Sequence, residues 1–192
     1  MRNTNFIPQP RFVRIRTRGR LTHWQVDDAV YFLTFGLRDA IPEAALEAIS
    51  REREQVMHNV ATDAERAQLD RVFHLRVDSE LDTARGSCIL RHHAEVVANA
   101  LKYFHGVRYD LHAWCVMPNH VHVLMHLARG ADMPKIIHSW KSYTAHQIDR
   151  GAIWQREYFD RVIRSPQEFS DTRAYIHNNP AKAGLRNWPW VG

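Results

Sequence analysis

Two histidines separated by one valine open a predicted β-strand, and this segment most constrains the fold. Because successive side chains of a strand point to opposite faces, His120 and His122 project together. The apolar residues Val121, Val123 and Met125 project the other way and can enter a core. Two imidazoles side by side suit the binding of one divalent metal ion. The pattern is short, however, and two ordinary exposed strand histidines are the alternative.

The order of the predicted elements gives the fold class. A β-rich run at 29–37 predicts a strand, two more strands are predicted at 109–116 and 121–127, and 153–163 is typical of strand and loop. Helices are predicted at 89–104, at 134–148 and after Ser165, whose segment is expected to end near Pro180. This order favours an α+β, ferredoxin-like antiparallel sheet with helices packed on it.

Two segments fall outside that core. Residues 43–83 are charged and alanine-rich, and they predict an inserted helical segment on the surface, an accessory part with no catalytic constellation. Residues 1–26 hold six arginines and no acid, which predicts an extended basic N-terminal arm. Such an arm suits contact with a phosphate backbone, and a disordered solubilising tail is the alternative. The remaining chain, 27–192, is expected to form one domain.

Composition limits where such a chain works. No stretch approaches 18 uninterrupted apolar residues, so no membrane span is expected. The arginine-rich N-terminus lacks the apolar segment of a secretion signal. The two cysteines, Cys88 and Cys115, do not form a CxxC pair and sit in apolar surroundings, which is typical of reduced core residues. These features predict a cytoplasmic location.

A second dense group of functional side chains lies near the C-terminus. Tyr175 and Asn179 are four residues apart, so they share a face if the helix continues to Asn179. A residue before proline is biased away from the helical conformation, and Pro180 makes that continuation a condition. On that face, Asn179 is able to offer its amide oxygen to a metal while Tyr175 points its phenol to the same place. A tyrosine with its ring in the core is the alternative.

Four ordered blocks resemble the IS200-like single-tyrosine transposases, in particular the branch associated with repetitive extragenic palindromes (REP). The resemblance extends from Tyr31 to Trp190, apart from the acidic insertion. The blocks are MPNHVHVL (117–124), KSYTA (141–145), WQREYFDRVIR (154–164) and YIHNNPAKAGL (175–185).

The resemblance implies membership of the HUH endonucleases, in which an apolar residue, here Val121, separates two histidines. It implies a ferredoxin-like core, Tyr175 as the nucleophile, and His120 and His122 as metal ligands. Asn179 takes the place of a polar ligand that is often glutamine in relatives. Tyr143 is a competing nucleophile because it begins a Tyr-x-x-x-Gln pattern, but it lies in the helix after the histidine strand, whereas the family's nucleophile lies in the last helix.

The sequence therefore predicts a metal-dependent single-stranded DNA endonuclease and strand transferase that forms a 5′-phosphotyrosine next to palindromic hairpin DNA. The expected cofactor is a divalent metal, Mg²⁺ or Mn²⁺. The expected partner is single-stranded or hairpin DNA resembling REP palindromes, bound by a monomer or a homodimer. A hairpin-binding module that does not cut, and a metal-dependent hydrolase of small phosphoesters, are the alternatives. The predicted DNA contacts are Arg14, Arg16, Arg18, Lys141, Arg161, Arg164 and Lys182.

Overall fold

The computed structural model describes residues 13–18, 21–60, 62–83, 86–148 and 151–192. Within these ranges the chain forms six strands and five helices. In chain order they are β1 (Val13–Arg18), β2 (Leu21–Val26), β3 (Val30–Gly36), α1 (Glu43–His58), α2 (Asp63–Asp82), α3 (Leu90–Tyr103), β4 (Tyr109–Val116), β5 (His120–Leu127), α4 (Met133–Ile148), β6 (Phe159–Val162) and α5 (Pro166–Lys182).

Four of the strands form one antiparallel sheet in the spatial order β4-β5-β3-β6. Each pair of strands joined by helices is separated in the sheet by a strand running the other way, as in a ferredoxin-like fold. The predicted fold class is therefore confirmed. The register places Thr34 of β3 opposite His122 of β5, and Gly36 opposite His120, so the histidine strand lies in the middle of the sheet.

The alternation of side chains on β3 and β5 gives the sheet two different faces. Leu33 and Phe35 share a buried cluster with Val121 and Val123, and α3 and α4 cover this face. Phe32 and Leu124 belong to a second cluster on the opposite face, which α5 covers. Burying apolar side chains on both faces holds the central strands rigidly. His120 and His122 project into the second face, below α5.

The inserted segment is helical, as predicted, and comprises α1 and α2. Thr62 begins α2 with a capping box, since its hydroxyl accepts from the Glu65 N–H and the Glu65 carboxylate accepts from the Thr62 N–H. α2 buries Phe73, Val77 and Leu81, and it packs against the edge strand β6. The insertion is thus part of the domain's packed structure rather than a surface appendage.

The N-terminal segment differs from the predicted arm. Residues 13–18 pair with 21–26 in a two-stranded antiparallel hairpin, whereas the sequence predicted a single extended arm. Arginine alternates with β-branched residues in β1, a period-two pattern that favours a strand. Residues 1–12 and 19–20, and the side chains of Arg14, Arg16 and Arg18, lie outside the described part of the structure, so their contact with DNA stays a prediction.

Helix α5 begins where the sequence predicts and ends later. The Ser165 hydroxyl accepts from the Glu168 N–H, which is the predicted N-cap. The expected end at Pro180 is wrong, because the helix continues through Pro180 to Lys182. Proline within a helix removes one backbone hydrogen bond, and near the C-terminal end few further bonds are lost. Asn179 consequently stays in the helix, one turn after Tyr175.

Within the described ranges, no helix has both the length and the apolar content needed to cross a bilayer.

Candidate active site

The two histidines of β5 are buried in direct contact with each other. His120 is 1% exposed and His122 is 0% exposed, so the interpretation as ordinary exposed strand histidines is wrong. Their Nε2 atoms are 3.0 Å apart. Both side chains therefore aim the same nitrogen at a single point, as two ligands of one ion would.

Neighbouring side chains determine which nitrogen of each imidazole carries hydrogen. The Asn119 amide donates through Nδ2 to the Leu81 carbonyl at 2.9 Å, which leaves its Oδ1 as an acceptor for His120 Nδ1–H at 2.8 Å. His120 Nε2 is thus a lone pair. His122 Nδ1 lies 2.9 Å from the Thr34 hydroxyl, which is able to donate or accept. When the Thr34 hydroxyl accepts from His122 Nδ1–H, His122 Nε2 also carries a lone pair. The Nε2 lone pairs of the two histidines then face the same point.

Burial keeps these imidazoles neutral at neutral pH. It lowers the pKa of His120 to about 3. It also lowers the pKa of His122 well below its ordinary value, and the neighbouring His120 and His74 act in the same direction. A neutral imidazole is the form that binds a metal, so desolvation prepares the pair for a cation without competition from protons.

Asn179 provides the third polar group at this point. Its side chain is 2% exposed, and its Nδ2 lies 3.4 Å from His122 Nε2. Its Oδ1 is buried and has no hydrogen-bond partner, which is an unfavourable arrangement unless a ligand completes it. Rotation of the amide exchanges its oxygen and nitrogen, so the oxygen can be presented to the same point as the two Nε2 atoms. Two neutral imidazoles and one amide oxygen fit a divalent cation with positions left for substrate.

Of these three proposed ligands, two are histidines and the third is an amide. His, Cys, Asp and Glu are the side chains that most often form a complete metal site. No cluster of three or more His, Cys, Asp or Glu side chains with metal-binding geometry occurs in the part of the chain that the structure describes. An incomplete set of protein ligands is compatible with a catalytic site, because such sites keep positions open for water or substrate.

Tyr175 lies directly beside the histidine pair. Its ring meets the His122 ring edge-on, with 5.5 Å between the centroids, and meets Phe32 in the same way at 6.0 Å. Its hydroxyl donates to Asp78 Oδ2 at 2.9 Å. Burial and the neighbouring Asp78 carboxylate raise the pKa of the Tyr175 phenol above its ordinary value. The phenol is therefore protonated in this arrangement and requires positive charge nearby before it can act as a nucleophile.

The competing tyrosine is remote from this point. Tyr143 lies on α4, on the other face of the sheet from the histidines, and it is 51% exposed. α4 packs through Trp140 onto Phe35, whose side chain points away from the histidine face. The structure thus brings Tyr175, and not Tyr143, next to His120 and His122.

Two side chains at the site come from the insertion and were missed by the sequence analysis. His74 Nε2 lies 2.8 Å from the Thr34 hydroxyl, and Thr34 donates to Asp78 Oδ1 at 3.4 Å. Burial raises the pKa of Asp78 to about 7, which the hydrogen bond from Tyr175 opposes. The available signal was the i, i+4 spacing of a histidine and an aspartate beside the apolar positions of α2. The prediction that this segment carries no site residues is corrected accordingly.

The predicted DNA-binding cations occupy two kinds of environment. Arg161 is 8% exposed and forms an ion pair with Glu168, and Lys141 donates to the carbonyls of Gln155 and Glu157 at 2.8 and 2.9 Å. These contacts support a structural role for both. Arg164 and Lys182 are exposed, and Lys182 Nζ lies 5.2 Å from the centroid of the Tyr175 ring. DNA contact by all four stays a prediction.

Replacing Lys141 by methionine is expected to destabilise the domain, because its ammonium donates to two backbone carbonyls. Methionine keeps most of the apolar stem but leaves the carbonyls of Gln155 and Glu157 without this donor, at a cost of about 2–4 kcal/mol in the free energy of unfolding. Urea denaturation measures that loss, and Lys135→Met, an exposed position on the same helix, is the control. Unchanged stability together with a large loss of hairpin affinity would instead identify Lys141 as a DNA contact.

A cleft leads to the phenol from the solvent. It has a volume of about 150 Å³, lies between α2 and α5, and is lined in part by Phe32, Asp78, Arg161 and Tyr175. A larger cavity of about 410 Å³ lies elsewhere, beside α4 and Trp154, and contains none of the residues around the histidine pair. The smaller cleft is the one relevant to Tyr175, because it reaches the proposed nucleophile.

Comparison with known proteins agrees with the resemblance. A putative REP-associated tyrosine transposase of Haemophilus influenzae is 26% identical, over 41% of this chain and 55% of that protein. A REP-associated tyrosine transposase of Escherichia coli K12 is 28% identical, over 43% of this chain and 53% of that protein. The chain thus spans about half the length of these curated relatives.

A solved structure shares the fold. It is a REP-associated tyrosine transposase bound to a REP hairpin, with a TM-score of 0.59, 19% identity, and coverage of 88% of this chain and 79% of that chain. The family model described as IS200-like transposase matches residues 83–179, from the end of the insertion to Asn179. Because this match covers just over half of the 192 residues, the chain belongs to the IS200-like transposase family.

Proposed function

We propose that this protein is a metal-dependent endonuclease and strand transferase for single-stranded DNA, with Tyr175 as its nucleophile. The observation that carries the proposal is the convergence of distant parts of the chain. The Tyr175 ring from the last helix lies against His122 from the central strand, with Asn179 of α5 within 3.4 Å of the same imidazole. A phenol packed against an imidazole whose Nε2 faces a second Nε2 is suited to phosphoryl transfer to tyrosine.

His120, His122 and Asn179 would hold the cation, Mg²⁺ or Mn²⁺. When bound, such an ion supplies positive charge that stabilises the phosphate during transfer. The phenol oxygen of Tyr175 attacks phosphorus in line with the bond to O3′. The new bond joins the tyrosine oxygen to phosphorus, the P–O3′ bond breaks, the phenol gives up its proton and O3′ takes one. The product is a 5′-phosphotyrosine with a free 3′-hydroxyl, and attack by a second 3′-hydroxyl reverses the step and joins strands.

Palindromic hairpin DNA is the proposed substrate, and the structural relative is bound to a REP hairpin. Lys182 and Arg164 are exposed cations on or next to α5, and the sequence of β1 contributes three more arginines to the positive charge of the chain. Such charges hold the backbone independently of sequence. With DNA as the proposed substrate, we expect the protein to act in the cytoplasm.

Incubation with a hairpin-bearing single-stranded oligonucleotide and Mn²⁺ tests the proposal. A covalent protein–DNA adduct should appear on a denaturing gel and should disappear when EDTA removes the metal. A phosphodiester analogue with sulfur in place of the bridging O3′ at the cut site would leave a 3′-thiol, which attacks phosphorus poorly. The adduct should then accumulate, and its position on the oligonucleotide can be mapped. Tight hairpin binding without any adduct would contradict the proposal and would identify a binding module that does not cut.

A further inference from the structure

The insertion places one buried carboxylate between the proposed nucleophile and a proposed metal ligand. Asp78 is 4% exposed and projects from α2, which is not one of the elements of the ferredoxin-like core. Its Oδ2 accepts from the Tyr175 hydroxyl at 2.9 Å, and its Oδ1 accepts from the Thr34 hydroxyl at 3.4 Å. Thr34 in turn lies 2.9 Å from His122 Nδ1. A continuous chain of contacts thus runs from the phenol to the histidine.

Burial of the Asp78 carboxylate is not explained by the stability of the fold. Burying a carboxylate is unfavourable unless it is paired. Among the described residues, the one basic side chain within ion-pair distance of Asp78 is the His122 imidazole, at 3.9 Å. The partners at hydrogen-bond distance are two hydroxyl groups, both in the site. A valine or leucine at this position would pack α2 without the cost of desolvation.

The contact also fixes a group that would otherwise rotate. A tyrosine on a helix can place its hydroxyl at several positions by turning about its side-chain bonds. The edge-on contacts with Phe32 and His122 constrain the plane of the Tyr175 ring. The hydrogen bond to Asp78 constrains the oxygen itself, and a displacement of about 1 Å at a reacting atom is enough to slow a reaction roughly a hundredfold.

We infer that Asp78 is the positioning residue for Tyr175: its carboxylate accepts the phenol hydrogen and fixes the nucleophilic oxygen while the ring lies against His122. The inference rests on the proposed function for its catalytic consequence. It assigns to the insertion a part in the reaction, because removal of α2 would leave the phenol without this acceptor.

Two variants of Asp78 and one control test the inference. Asp78→Ala removes the acceptor, and Asp78→Asn keeps an amide oxygen able to accept from the phenol. Glu80→Gln, at a partly exposed carboxylate two residues later and therefore on a different side of α2, is the matched control. At saturating hairpin DNA, we expect Asp78→Ala to slow single-turnover adduct formation about a hundredfold, and Asp78→Asn at most about tenfold. Hairpin affinity should change less than about twofold in all three.

A second measurement does not depend on activity. The ¹³Cζ resonance of Tyr175, assigned by its absence in Tyr175→Phe, should shift in Asp78→Asn and stay in place in Glu80→Gln. The isosteric asparagine keeps the packing of α2, so this readout remains available if the alanine variant fails to fold. A Tyr175 resonance unmoved in Asp78→Asn, or an adduct rate in a folded Asp78→Ala equal to that of the wild type, would overturn the inference. An absent adduct in the wild type would contradict the proposed function instead, while the resonance would still report the contact.

Discussion

Tyr175→Phe is expected to abolish the covalent adduct while retaining hairpin binding. Phenylalanine keeps the ring that contacts Phe32 and His122 but lacks the oxygen that must bond to phosphorus. Loss of a nucleophile typically lowers the rate by about a thousandfold or more. The hairpin should still bind within about twofold of the wild-type affinity, because its backbone is held by cations elsewhere. Denaturing gels and fluorescence anisotropy measure the two properties separately.

Tyr175→Phe is also expected to lower the free energy of unfolding, so stability is measured together with adduct formation. Asp78 loses its hydrogen bond from Tyr175 and stays buried, at a cost of about 1–3 kcal/mol in the free energy of unfolding. Tyr143→Phe is the matched control, since it removes a phenol that is half exposed on the opposite face. Adduct formation that persists in Tyr175→Phe and vanishes in Tyr143→Phe would reverse the assignment of the nucleophile.

The sheet and its histidine face follow from local patterns, which is why the sequence predicts them well. In β5, valine alternates with histidine, and successive side chains of a strand point to opposite faces. Once the valines enter the core, the histidines must lie on the other face of the sheet. Three residues join β4 to β5, and helices precede and follow this pair in the chain. Few topologies other than the observed one are compatible with that order. The depth of burial of His120 and His122 is not local. It depends on α2 and α5, which cover that face.

The parts that the sequence did not predict all depend on contacts between distant residues. Asp78 and Tyr175 are 97 positions apart, and the i, i+4 spacing of His74 and Asp78 on α2 does not say which distant residues these two side chains meet. Lys141 was predicted as a DNA contact. In the structure its ammonium donates to backbone carbonyls of the loop before β6. The helix continues through Pro180 because α5 packs on β4 and β5, and tertiary packing overrides the local preference.

Removal of both imidazoles is expected to eliminate metal-dependent cleavage. In the double variant His120→Ala, His122→Ala, Asn179 is the remaining member of the proposed ligand set, and an amide binds divalent cations weakly by itself. We expect adduct formation to fall about a thousandfold or more. His126→Ala is the matched control, because it removes an imidazole from the same strand at a position that pairs with Asp28 instead.

Metal binding by the folded protein gives an independent readout of the same site. A ligand that binds only the native state raises stability, by about 2–3 kcal/mol when its concentration is a hundred times its dissociation constant. Mn²⁺ should therefore raise the thermal midpoint of the wild type and of His126→Ala, and should leave that of the double variant unchanged. The alanines also remove buried side-chain volume, so the midpoint without metal is expected to fall, and only the increment produced by Mn²⁺ is compared. A full increment and unchanged metal-dependent cleavage in the folded double variant would show that the cation is bound elsewhere, since neither alanine offers it a ligand.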